Sequence, residues 1–326
     1  MATLIYLAIP AFLVTMAIEA LWARAALRAG ATHLRGYAGR DTAASIAMGL
    51  GNVAIAAVVK LGSFALMLLV YQYRLFELGD GALVWAALLL AEDLVYYWFH
   101  RASHEVRLLW GAHVSHHSST HYNLSTALRQ SWLTPVTSIP FWLVLPLLGF
   151  APWMVLTQQA ISLLYQYWLH TESIRTLGPL ELIFNTPSHH RVHHGRNVEY
   201  LDKNHGGILI IWDRLFGTFA PERAAVDYGL TSNLGSYNPL VIASHELRAI
   251  GHDVRRARSF GHALRHIFGP PGWSPDGRTL TARQMQQRQR AAAASALAPA
   301  AVPPHAPPAA ALSSPSAPGS APSSLA

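Results

Sequence analysis

Apolar runs of membrane length punctuate the first half of the chain. Leu4 to Trp22 is the first, with a single acid, Glu19, inside it. A helix needs about 20 apolar residues to cross the hydrocarbon core, so this run qualifies as a span. It reads as a span rather than a removable signal segment, because no basic stretch precedes it and no small-residue cleavage site follows. Ser45 to Tyr73 comes next, broken only by Lys60, which faces protein or snorkels to the interface. Ala82 to Phe99 is the third run and ends directly on His100. Leu133 to Phe150 and Pro152 to Leu169 form a pair joined at Gly149-Phe-Ala-Pro152, with Pro140 and Pro146 inside the first member. The pair is either a full hairpin or a re-entrant one.

Beyond His170 the pattern turns polar, and helices lying over the membrane face are expected. Ile208 to Phe219 is a short apolar stretch that inserts at the interface or packs on the core. From Ala291 the chain is rich in Ala, Pro and Ser, a composition that buries no core and reads as a disordered tail. The expected organisation is an N-terminal transmembrane region (1–81), a central catalytic region (82–220), a basic extension (221–290) and a tail (291–326). The expected fold class is all-α, an integral membrane helix bundle.

Composition supports this. Apolar residues make up 52% and charged residues 13%, against roughly 25% charged in soluble domains. The chain has no cysteine, which excludes disulfides, cysteine-ligated zinc and cysteine-held iron–sulfur clusters. The net charge of +7 rests almost wholly on arginine, since Lys60 and Lys203 are the only lysines. Such a balance suits nucleic acid or an anionic membrane surface, and the apolar runs select the membrane. Arg24, Arg28, Arg35 and Arg40 put the first loop in the cytoplasm by the positive-inside rule. Two spans later the segment with Arg101, Arg107 and Arg129 falls on the same side, and the hairpin returns the chain there. The Ala- and Arg-rich composition points to a bacterial inner membrane.

The chemistry lies in the histidines. Of 18 in the chain, ten cluster after the apolar runs: His100 and His104; His113, His116 and His117; His170; and His189, His190, His193 and His194. Residues three and four apart share a helix face, so each cluster can aim at one point. A zinc-type site uses about four ligands, so this many imidazoles indicates two metal ions facing the cytoplasm. His121, His205, His245, His252, His262 and His266 read as surface residues, and His33 and His305 have no role. Imidazole suits zinc, copper, iron and nickel alike. Zinc hydrolases usually keep a carboxylate base close by, as in His-Glu-x-x-His, and that pattern is absent. A membrane zinc hydrolase and a non-catalytic metal-binding protein are the alternative readings.

Glu92 and Asp93 lie in an apolar span, where ionisable groups mark function by default. Metal-bound imidazoles usually give their other N–H to a carboxylate or carbonyl, and Asp93, Glu105 and Glu172 are the candidate acceptors. The polar segment from Ser118 to Ser131 leads into the hairpin. It is either a loop and helix start or a substrate mouth where Asn123, Arg129 and Gln130 read a head group.

These motifs resemble the sterol desaturase and fatty acid hydroxylase superfamily. Its histidine boxes are matched by His100/His104, His113/His116/His117 and His190/His193/His194. Its downstream Asn-Tyr-Gly and Trp-Asp-Arg-x-Phe-Gly-Thr-Phe are matched by Asn204-His-Gly-Gly and Trp212-Asp-Arg-Leu-Phe-Gly-Thr-Phe219. The likeness covers residues 85–220. Within it, His121-Tyr-Asn-Leu-Ser-Thr-Ala-Leu-Arg-Gln-Ser131 and Trp168-Leu-His-Thr-Glu172 look most like the alkylglycerol monooxygenase branch. The resemblance implies two iron ions, dioxygen, an external electron donor, a lipid substrate and hydroxylation or desaturation of a C–H bond. It makes His170 a ninth ligand and leaves His189 as ligand or outer group. Two departures stand out. Ile174 occupies a position where some relatives carry a second histidine after His170. His205 stands where tyrosine is usual, a change that is either neutral or adds a nitrogen near the site.

Overall fold

The computed structural model describes residues 2–297. Every regular element among them is helical, and the only bridges are two isolated ones. Three helices are long and apolar enough to cross a membrane: α1 (Ala2–Arg28), α2 (Gly39–Tyr71) and α3 (Ala82–Glu105). At 33 residues, α2 is about 50 Å long, well beyond the roughly 30 Å hydrocarbon core. Its middle turns expose Leu50, Val53, Val58 and Leu61, as lipid-facing turns do. Its first turns instead bury Asp41, Ala44, Ser45 and Met48. The surplus length is thus used to prop up the polar cap in which the histidines sit.

The fourth and fifth apolar runs fold as a hairpin, but not as two regular spans. Its first arm breaks into one-turn helices, Thr134–Thr137, Ile139–Trp142 and Val144–Leu148. Proline lacks the N–H that an unbroken helix needs, and Pro135, Pro140 and Pro146 recur along this arm. The second arm is regular, α4 (Pro152–Tyr167). The tip lies against the α2–α3 loop: the Leu75 N–H donates to the Leu147 carbonyl at 2.8 Å. Gly149, in the left-handed region at φ 111°, comes so close that a Cβ there would meet the Phe76 carbonyl oxygen at 2.2 Å. The hairpin therefore reaches as deep as α3 begins. It packs on α3 through Leu88, Phe99, Trp142, Leu145, Met154 and Val155.

Beyond the bundle, α5 (Pro187–His193), α6 (Pro239–Arg255), α7 (Phe260–Phe268) and α8 (Ala282–Leu297) build the cap with short helices between them. Ile208, Leu209 and Ile210 are buried and pack on the core, whereas Leu215 and Phe216 in the second half of the stretch are exposed. Helix α8 runs seven residues into the segment expected as tail, and residues 298–326 lie outside the described part. The extension after residue 220 is docked on the site: Arg107 reaches Glu246 and Asp253 on α6 at 2.7 and 2.8 Å.

A buried ion pair ties the cap to α2. Arg129, 1% exposed, binds Asp41 at 2.5 Å and the hydroxyls of Ser45 and Ser118 at 3.1 and 3.0 Å. Removing one member of such a pair strands a charge in a dry interior. Arg129→Leu or Asp41→Leu alone is expected to destabilise the protein by about 3–5 kcal/mol. The double substitution should cost less than either, as measured by denaturant unfolding in detergent.

Candidate metal centre

Four elements end at the same level and deliver the histidines to one place. His100 and His104 are one turn apart on the last turns of α3, His170 follows the end of α4, and α5 carries His189, His190 and His193 with His194 at its end. His113 opens the one-turn helix Val114–His117. The ligand atoms form two groups, each drawn within 4.8 Å: His100, His104, His113, His117 and His193 in one, and His116, His170, His190 and His194 in the other.

This partition corrects the expectation that each trio aims at one point. Three i, i+4 pairs stay together (100 with 104, 113 with 117, 190 with 194), while His116 and His193 cross to the opposite group. Successive helical residues differ by about 100° in direction. Of the three His-His dipeptides, 116–117 and 193–194 each serve both centres, while in 189–190 only His190 joins a group, and His189 also stays apart from its i, i+4 neighbour His193.

The geometry within each group is that of a coordination shell. The Nε2 atoms of His100 and His113 are 3.0 Å apart, those of His113 and His117 3.1 Å, those of His116 and His170 3.2 Å and those of His170 and His190 3.0 Å. Two nitrogens about 2.1 Å from one ion are about 3.0 Å apart at a right angle and about 3.4 Å apart at the tetrahedral angle. The observed edges lie in the range that one shared ion imposes on its ligands. Several other imidazole nitrogens, Nε2 of His104, His193 and His194 and Nδ1 of His190, are buried with no hydrogen-bond partner among the described residues. Buried polar atoms almost always find a partner, and a metal supplies one for each Nε2. The residues fit two ions.

Four of the nine ligand rings are held at the opposite nitrogen by a carbonyl oxygen. His100 Nδ1 pairs with the carbonyl of His205 at 2.8 Å, His170 with Gln166 at 2.9 Å, His193 with Lys203 at 2.9 Å and His116 with Arg129 at 3.3 Å. The three carboxylates expected in this role are elsewhere. Asp93 accepts from the backbone of Ile208 and Leu209 and from the Trp212 indole. Glu105 pairs with Arg101 at the surface, and Glu172 accepts from the Arg35 backbone. The carboxylate nearest a ligand ring is Asp202, 3.6 Å from His104 Nδ1. Burial, with neighbouring imidazoles, pushes His113, His116, His117, His190, His193 and His194 well below the ordinary histidine pKa, and His170 to about 4. Neutral rings are what a metal requires.

Sequence reasoning missed the loop that roofs the site. Residues 202–213 return over α3, pinned from two sides. Asp93 holds one limb, and Asp213 accepts the N–H groups of His205 and Gly206, both at 2.7 Å. Gly207 fits because a Cβ there would meet Asp93 Oδ1 and the Tyr96 ring, each at 2.8 Å. His205 is fully buried, and His266 is buried against Arg107, so neither is a surface histidine. The only sequence signal was the pair of motifs Asn204-His-Gly-Gly and Trp212-Asp-Arg, which carry no obvious ligand.

Other expectations fall outside the metal groups. His189 is buried 5.4 Å from the Phe219 ring, 3.5 Å from the Thr186 hydroxyl, and joins neither group. Asn123 caps the turn Leu124–Leu128 and donates to the Gly36 carbonyl. Arg129 is consumed by Asp41, and Gln130 donates to the Ala127 carbonyl. These three hold the cap together rather than presenting groups to a substrate.

His116→Ala should cost the ion of the four-histidine group, and His113→Ala the other, each lowering metal content from two ions per chain toward one. His189→Ala should retain both, by elemental analysis of the reconstituted protein. Because burial lowers the pKa values of His113, His116, His117, His170, His190, His193 and His194, proton competition at these ligands should begin well below pH 6.5. Metal content at pH 6 should equal that at pH 7.5.

Comparison with known proteins agrees with this geometry. The family model described as Fatty acid hydroxylase matches residues 85–218. Alkylglycerol monooxygenase of Homo sapiens is 49% identical over 205 residues, covering 63% of this chain and 46% of the relative. The Caenorhabditis elegans alkylglycerol monooxygenase is 36% identical over 260 residues, covering 74% and 50%. An ornithine lipid hydroxylase of Rhizobium tropici is 33% identical over 141 residues, covering 42% and 43%. The chain spans about half the length of these relatives. No solved structure matches it. The histidine boxes and the roofing loop all fall within the matched region: residues 85–218 match the fatty acid hydroxylase family, and the chain is similar to the alkylglycerol monooxygenases over that region and beyond it.

Proposed function

We propose that the protein is a membrane-bound di-iron oxygenase that hydroxylates a C–H bond of a lipid. The observation that carries the reading is the pair of adjoining all-histidine groups at one end of a membrane bundle. Bound iron would supply dioxygen activation, and hydroxylation consumes two electrons and two protons as one oxygen atom enters the lipid and the other leaves as water. The chain has no cysteine to hold an iron–sulfur cluster, so the electrons come from an external donor. The arginine-rich loops favour a cytoplasmic site on a bacterial inner membrane.

The protein's own part is to bind, orient and exclude water. His100, His104, His113, His117 and His193 hold one ion, and His116, His170, His190 and His194 the other. Backbone carbonyls fix the tautomers of His100, His116, His170 and His193. A groove of about 420 Å³ lies between α1 and α4, walled by Ile18, Trp22, Leu124, Tyr167 and Trp168. Its polar end holds Glu19 and Thr171, the latter next to His170 in sequence. Such a groove suits a lipid arriving from the bilayer with its polar end toward the cap, in keeping with the lipids named for the relatives.

Two measurements test the reading. Iron-loaded protein in nanodiscs with a chemical reductant should consume oxygen, and mass spectrometry should find one lipid class gaining one oxygen atom. A loss of two hydrogens would instead mark desaturation. Zinc as the native metal, with no oxygen dependence, would sink the oxygenase reading. Ile18→Trp should fill the groove and raise KM for the lipid at least tenfold, with metal content unchanged.

A further inference from the structure

Helix α7 carries an apolar stripe that the described residues leave uncovered. Phe260, Leu264 and Phe268 recur every fourth residue along it and are 79%, 39% and 58% exposed. At that spacing they share one face. The opposite face is in use. His262 and His266 lie 5.8 and 5.0 Å from the Trp273 ring, and His266 meets Arg107. The helix is thus fixed in rotation, with its apolar side turned away from the protein.

Cations gather at its start. Arg255 ends α6, Arg256 and Arg258 lead into α7, and all three are exposed, as is Arg248 two turns earlier. The acids of α6 do not neutralise them, because Glu246 and Asp253 are both taken by Arg107. Arg265 flanks the stripe, 4.8 Å over the Trp273 ring. An exposed apolar stripe beside unneutralised arginines is the pattern of a helix lying in the interface of an anionic membrane.

The pair of helices also sits at the right height. Ile242 of α6 is buried with Ala44 and Met48 of α2, two residues before the lipid-facing Leu50. Gly269, directly after α7, accepts the Arg107 N–H at 2.9 Å, and Arg107 follows the end of α3 by two residues. One end of the α6–α7 unit is therefore moored where α2 enters the apolar layer, and the other where α3 has just left it.

We propose that α6 and α7 form an interfacial anchor that binds the anionic leaflet around the bundle. Phe260, Leu264 and Phe268 enter the boundary of the acyl chains. The three arginines at the join take the phosphates of acidic head groups, with their stems lying along the apolar layer. The occupant is the bilayer rather than a soluble acidic partner. A partner read by charge alone has no use for two phenyl rings and a leucine, and the spans already hold this surface within reach of the membrane. The assignment is independent of what the histidines hold.

The chain has no cysteine, so a single introduced cysteine carries a nitroxide at one chosen place. The test uses the full chain in nanodiscs of phosphatidylcholine with phosphatidylglycerol. Electron paramagnetic resonance compares collision of the label with oxygen, which concentrates in lipid, and with a water-soluble nickel complex. Labels at Leu264→Cys and Phe268→Cys should favour oxygen, as a label at Val58→Cys on the lipid-facing part of α2 does. Adding Arg255→Gln, Arg256→Gln and Arg258→Gln to Leu264→Cys should lower the ratio of docked to undocked helix about 100-fold, as three charges near an anionic surface allow. Nanodiscs of phosphatidylcholine alone should act in the same direction. Labels that favour nickel in the anionic nanodiscs would overturn the proposal. So would labels shielded from both reagents, which would mean that a second copy or another part of the chain covers the stripe. A triple variant indistinguishable from its parent would overturn the assignment to anionic lipid.

Discussion

The cap depends on a repulsion that it cannot relieve by itself. His116 and His170 each commit Nδ1 to a backbone carbonyl, so in the neutral ring Nε2 carries a lone pair. Those two lone pairs face each other at 3.2 Å. Protonating either ring would relieve them, but burial and the surrounding imidazoles oppose a proton there. A shared cation answers both demands, since it attracts every lone pair and replaces the missing solvent. Metal binding would therefore stabilise the folded cap, since the ligands are gathered only in the folded chain.

Much of this was legible in the sequence because histidine spacing is a local property. Three of the four clustered pairs at i, i+4 share a centre, as helix geometry favours; the fourth, His189 with His193, does not. The allocation of His116 and His193 was not legible. It depends on how short helices lie across one another, and a one-turn element such as Val114–His117 takes its direction from its neighbours. The membrane runs were legible for the same local reason, whereas the broken first arm of the hairpin shows how three prolines override an apolar count.

The acids were misread because their chemistry is generic. A carboxylate near a histidine box can accept an imidazole N–H or a backbone N–H, and composition does not distinguish the two. Here the backbone carbonyls of residues 129, 166, 203 and 205 serve four of the nine ligand rings, and they leave no trace in side-chain identity. Asp93 and Asp213 are freed to shape the loop that supplies two of those carbonyls. Their influence on the centre passes through main-chain position. Asn123, Arg129 and Gln130 teach the same lesson: a polar run beside a site is as often the frame as the mouth.

Glu19 gives the first membrane helix a part in this frame. From within α1 its carboxylate accepts from the Tyr37 hydroxyl, the Leu124 backbone and the Thr171 hydroxyl. Thr171 directly follows a metal ligand, and Leu124 begins the turn that leads to Arg129. The carboxylate is thus a mechanical coupling between a lipid-facing rod and the ligand cage. Any thinning or stretching of the surrounding bilayer that tilts α1 pulls on the residue beside His170, so the membrane's physical state becomes a variable of the metal centre.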